Sequence, residues 1–139
     1  MSDPQPPRRL GRSFLALLTG ILVGIVLSLG TDVLLHFTGL WPSLGQPMSS
    51  PLLLLATVYR TVYGVISSYI TARLAPHTPM THALLLGILG FVVNVIGAVT
   101  TWNKVPSLGP HWYPVALTLL AIPTAWLGGK FREQQLAKQ

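Results

Sequence analysis

Asp32 and Arg60 each lie well inside a long apolar run, and the only other charge in either run is Arg73 at the end of the second. An acid and a guanidinium in such surroundings can pair with each other, bind an ion or solute, or take part in proton movement. Unpaired at the centre of a membrane span, each would cost about 2.5–3.5 kcal/mol, so the two together would cost about 5–7. Asp32 lies about 8 Å inward of Phe37, Arg60 about 12 Å inward of Leu52 and Asn94 about 12 Å inward of Trp102, at about 1.5 Å per residue. The three are therefore read at one level in the outer half of a bilayer. An Asp32–Arg60 ion pair is expected, with Asn94 adding a hydrogen bond and the hydroxyls of Tyr59 and Tyr63 filling remaining lone pairs. Because the two charges sum to zero, a pair that fixes helix register is favoured over a ligand site. An unpaired acid would have pointed harder toward proton coupling.

The other reactive residue types carry little. His36 and His111 fall near the outer boundary, where Trp41, Trp102, Trp112 and Tyr113 form an interfacial aromatic belt. His77 and His82 flank the inner connector with Met80 between them. A metal site needs two or three histidines converging with carboxylates, and neither outer connector holds an acid, so no metal is expected. No nucleophile or orienting carboxylate sits beside a histidine, and no phosphate-binding glycine loop occurs. The absence of cysteine removes disulfides, thiolate catalysis and zinc–thiolate sites. Neither a cofactor nor an enzymatic activity is expected.

The elements that would position these residues follow from composition. The chain has 139 residues, 50% of them hydrophobic and 9% charged. A soluble domain carries about 25% charged residues, so this chain cannot coat a water-exposed globule. The same figures exclude a disordered chain. A helical span needs roughly 20 apolar residues to cross a core of about 30 Å, and four stretches qualify: Phe14–Phe37, Leu52–Leu74, His82–Trp102 and Trp112–Gly128. Pro123 makes the inner end of the last the least defined. Pro punctuates every connector, joined by Gly in the two outer ones, and no strand-like alternation recurs as an outer-membrane barrel would require. The predicted fold is an all-α membrane protein, four transmembrane helices in an up-down bundle over residues 14–129. Basic tails flank it at residues 1–13 and 130–139.

Orientation follows from Lys and Arg near the span ends. Arg8, Arg9, Arg12, Arg73, Lys130, Arg132 and Lys138 fall on one side, and Lys104 alone on the other. Both termini are therefore expected in the cytoplasm, in a multi-pass protein of the cell membrane. The apolar run after the N-terminal basic residues continues past Gly30 without a small-x-small site, so it is read as an uncleaved span. The net charge of +6 follows the orientation rule and not a stripe, so the lipid bilayer is the expected partner and nucleic acid is not.

Helices associate in membranes through small residues. The first span steps through Ala16, Gly20, Gly24, Ser28 and Asp32, and the second offers Gly64. The third runs Ala83, Gly87, Gly90, Asn94, Gly97, Thr101 in a heptad-like seam. These glycines and Ser28 are read as helix-packing positions. Whether the packed partner belongs to the same chain, a homo-oligomer or another membrane protein stays open. Pro42-Ser43-Leu44-Gly45 recurs as Pro106-Ser107-Leu108-Gly109, but the second and fourth spans barely correspond, so a duplicated hairpin is not favoured.

Gly30-Thr31-Asp32, the run Thr57–Gly64, Ala72–Pro76 and Thr101-Trp102-Asn103 together resemble an uncharacterised family of small bacterial four-span integral membrane proteins with no assigned activity. The resemblance covers nearly the whole chain and implies a bacterial cytoplasmic membrane. The function expected is of structural or accessory type, with the Asp32–Arg60–Asn94 cluster stabilising the bundle. The alternative is a small transporter or channel subunit using that cluster to bind an ion or small solute.

Overall fold

A lipid-facing backbone must satisfy its own hydrogen bonds, and among unclosed structures only the helix does so. The computed structural model describes residues 10–43, 46–104 and 109–139, and these form four helices and no strand. They are α1 (Leu10–Phe37), α2 (Ser50–Leu74), α3 (Pro79–Thr101) and α4 (Trp112–Ala137), each long and apolar enough to cross a membrane. The chain is an all-helical multi-pass membrane protein. The first nine residues, and most of the two recurring Pro-Ser-Leu-Gly segments, lie outside the described residues.

Local chemistry sets most boundaries. Pro51 and Pro79 occupy the first positions of α2 and α3, where a missing N–H costs no helical bond. At the end of α1, Gly39 takes a φ of +78°, and the amide of Trp41 bonds back to the carbonyl of Leu35. That turn folds Trp41 onto the bundle. The helices outrun the apolar stretches because helix formation needs no hydrophobicity. Most notably, α4 passes through Pro123 and continues to Ala137. Residues 130–137 are thus helical, and Gln135 there accepts a hydrogen bond from the Tyr69 hydroxyl of α2 at 2.6 Å.

Small residues fill the interior. The buried apolar side chains are Ala16, Trp41, Leu53, Ala56, Ala72, Ala83 and Ala125, joined by Thr57, Ser67, Ser68, Thr71 and Thr124, while most Leu, Ile and Val side chains point outward. This arrangement suits lipid, where small residues let backbones approach and large ones lose nothing by facing acyl chains. α2 packs against all three other helices, whereas α1 makes no contact with α4. The closest approach to another helix's backbone joins α2 to α4: a Cβ at Gly128 would lie 2.6 Å from the carbonyl oxygen of Val65. Gly87 abuts Ala125 and Gly20 abuts Thr71, and Gly64 faces Thr124.

α1 is tied to α3 at the end of the bundle that holds both termini. His82, only 5% exposed, shares a hydrogen bond with Ser13 at 2.9 Å through Nε2 and reaches the carbonyl of Thr78 at 3.0 Å through Nδ1. A carbonyl can only accept, so Nδ1 carries the proton. His82 is a buried fastener between α1 and α3. His82→Phe is expected to raise amide exchange over residues 10–16 about five-fold, the equivalent of one net hydrogen bond of about 1 kcal/mol. Unchanged exchange would show that the tie is not needed.

Candidate functional site

Asp32 is held from α2 by two side chains. Arg60 Nη2 donates to Asp32 Oδ2 at 2.6 Å, and the Tyr59 hydroxyl donates to Oδ1. One turn along α2, Tyr63 meets Thr31 at 2.7 Å. The Thr31 hydroxyl already gives its proton to the carbonyl of Leu27 at 2.8 Å, so Tyr63 is the donor. Tyr59, Arg60 and Tyr63 thus present one face of α2 to the adjacent residues Thr31 and Asp32. Each anionic oxygen of Asp32 receives a donor, and such charge-assisted bonds are the strong ones.

Aromatic rings enclose the pair. The guanidinium carbon of Arg60 lies 5.9 Å from the centre of the Tyr59 ring, within cation–π reach. Tyr59 packs against Tyr63 at 5.7 Å and against Trp41 at 6.4 Å between ring centres. Trp41 is 8% exposed and covers the site through its packing on Tyr59. Tyr113, at the start of α4, comes within electrostatic reach of Arg60. The signal for Trp41 was Gly39, two residues before it, which turns the chain back.

Asn94 is separate from the ion pair. Its Nδ2 points across to the carbonyl of Leu117 on α4 at 3.4 Å, and it makes no hydrogen bond to Asp32 or Arg60. The helix order explains this. α1 lies against α2, so Asp32 is within reach of α2, while Asn94 on α3 faces α4 and the opposite side of Arg60. Asn94→Ala should cost about 0.5–1 kcal/mol and leave the coupling between Asp32 and Arg60 intact. A loss of more than about 0.5 kcal/mol of that coupling, in a double-mutant cycle repeated in the Asn94→Ala background, would join Asn94 to the pair.

Arg60 and Asn94 do share a cavity of about 660 Å³, walled by α1 and α3 and floored by α2 and α4. Gly24, Ser28 and Leu29 line it from α1, and Leu89, Gly90 and Val93 from α3, whereas Asp32 does not line it. Arg60 Nε is buried and has no hydrogen-bond partner. Ser28 and Gly90 are therefore groove walls more than packing contacts. Gly90 comes only to 4.0 Å of Ala121, measured from an added Cβ, and Gly24 to 2.9 Å of Ser67. Gly97 meets nothing within 4 Å.

His77 and His111 have local partners. His111 stacks on Trp102 with ring centres 4.0 Å apart, and His77 meets His82 edge-on at 5.9 Å. Among the described residues no three metal-ligating side chains converge. No known protein family, curated protein or solved structure matches the chain.

Proposed function

We propose that this is a small membrane protein of structural or accessory type, whose Asp32–Arg60 pair fastens α1 to the other three helices. The carrying observation is the pair itself, with Arg60 and Tyr59 each occupying one oxygen of Asp32. α1 touches neither α4 nor much of α3, so its attachment rests chiefly on this face of α2. The membrane is a bacterial cytoplasmic one, with both termini in the cytoplasm. That orientation is supported by the charges at the helix ends: Arg12, Arg73, Lys130 and Arg132 cluster at one end, and Lys104 sits at the other.

A second reading, a transporter or channel subunit, draws on the cavity that reaches Arg60 and Asn94. The accessory reading is preferred because the acid of the pair is turned away from that cavity, leaving no anionic group to attract a cation. The deciding experiment measures ion and solute flux in liposomes together with thermal stability, for wild type and Asp32→Asn. Lowered stability with no robust flux in either protein supports the accessory role. Robust wild-type flux that the substitution abolishes would overturn it.

A further inference from the structure

The end of the bundle that holds both termini carries positive charge that the fold does not neutralise. Among the described residues it presents Arg12 from α1, Arg73 from the last turn of α2, and Lys130, Arg132 and Lys138 from α4 and its cap. Glu133 is the one acid there, and it forms no ion pair with any of them.

The seam between α2 and α4 brings two of these cations to one place. Both helices run toward this end, and Gly64 faces Thr124 as Ser68 faces Gly128, a constant step of 60 residues. Continued past Gly128, that register sets Arg73 opposite position 133, so Arg132 lies within about 1.5 Å of its level. Arg73 stands one turn beyond Tyr69, and Arg132 one turn beyond Gly128, on the faces where the two helices touch. Arg132 is also held in position. Its Nη1 donates to Gln135 Oε1 at 3.3 Å, and the same oxygen takes the Tyr69 hydroxyl of α2 at 2.6 Å. The other guanidinium N–H groups of Arg132 remain available, and the Arg73 side chain makes no hydrogen bond among the described residues.

The level of this pair decides what meets it. Arg73 lies about 35 Å along α2 from Ser50, just beyond a hydrocarbon core about 30 Å thick. On α4, Lys130 Nζ sits 5.9 Å from the centre of the Trp126 ring, the interfacial pairing of an indole with a cation, and Arg132 is half a turn further out. Leu127 and Phe131, 41% and 51% exposed, offer apolar surface beside it. Guanidinium forks match phosphate oxygens, and the excess of cations disfavours a headgroup that brings its own ammonium.

We propose that Arg73 and Arg132, at the end of the α2–α4 seam, bind the phosphate of an anionic phospholipid whose acyl chains lie along Leu127 and Phe131. This site is separate from the Asp32–Arg60 pair and goes beyond its fastening role.

The test titrates the full chain in detergent with dioleoyl phosphatidylglycerol or dioleoyl phosphatidylcholine and counts one-lipid adducts by native mass spectrometry. Glycerol phosphate serves as a soluble competitor carrying the same phosphate chemistry without the chains. Phosphatidylglycerol is expected to bind about ten-fold more tightly than phosphatidylcholine, the worth of one hydrogen bond to a charged donor. Arg73→Lys and Arg132→Lys keep every charge but lose the fork, and each should weaken phosphatidylglycerol binding about five-fold or more with the thermal midpoint unchanged. Arg12→Lys, on the helix that makes no contact with α4, should leave binding within about two-fold of wild type. Equal binding of the two lipids would overturn the proposal, and so would wild-type binding by both Arg73→Lys and Arg132→Lys, the mark of a diffuse basic collar. An equal loss in Arg12→Lys would overturn it as well. Displacement of the lipid by an equal concentration of glycerol phosphate would assign the site to a soluble phosphate instead and overturn the lipid.

Discussion

Replacing Gly128 with leucine is expected to abolish the folded bundle, and replacing it with alanine to lower stability by about 1–3 kcal/mol, the usual cost of overpacking. A Cβ there would lie 2.6 Å from the Val65 carbonyl oxygen, 2.6 Å from Ser68 Cβ and 2.7 Å from the Tyr69 amide nitrogen. Two of those atoms are backbone, so no rotamer change relieves the overlap and α2 must move away from α4. That movement would loosen Gly64 from Thr124 on the same seam. Gly97→Ala supplies the opposite sign. Nothing lies within 4 Å of its Cβ position, and alanine is favoured over glycine in a helix interior by about 0.8–1.0 kcal/mol. Thermal unfolding of both variants in detergent should therefore separate them by roughly 2–4 kcal/mol. Equal stability would mean that α2 and α4 do not close on Gly128.

The second large effect belongs to the ion pair. Asp32→Asn strands a guanidinium, and Arg60→Gln strands a carboxylate, within a region where an uncompensated charge costs about 2.5–3.5 kcal/mol. The two losses differ in kind. A stranded Asp32 keeps the Tyr59 donor and can take up a proton to become neutral, whereas an arginine stays charged at any accessible pH. Asp32→Asn should thus be the more damaging single change. The double variant carries no charge in the bilayer and should recover about 2 kcal/mol relative to the sum of the singles. Strictly additive losses would show that the two side chains are not coupled.

Much of this architecture could be read from residue order. Four apolar runs separated by Pro- and Gly-rich connectors define four spans, because a bilayer admits few alternatives. The Asp32–Arg60 contact was legible for a similar reason: two opposite charges on consecutive antiparallel spans have one inexpensive way to be buried. Helix ends were not legible from hydropathy, since α4 runs on through Lys130 and Arg132 as a helix with polar faces. The α3 seam shows a subtler limit. Ala83 and Gly87 are buried, Gly90 and Asn94 half-buried, and Gly97 exposed. A seven-residue repeat on a straight helix drifts about 20° per heptad. A stripe that begins at an interface therefore rotates out of it, and Asn94 lies partway along that rotation. The contacts of Trp41 with Tyr59 and of His82 with Ser13 are not legible from composition, because the turn at Gly39 and the proximity of Ser13 are tertiary facts.

The lopsided packing of α1 has a consequence for how the protein is made. α1 is synthesised first, yet every surface it settles on belongs to helices that come later. Asp32 precedes Arg60 by 28 residues, an interval of roughly 1–6 s at about 5–20 residues per second. During that delay the emerging first helix carries an acid with no counter-charge. A nascent chain that releases α1 into lipid only together with α2, as a neutral hairpin, avoids ever exposing that charge.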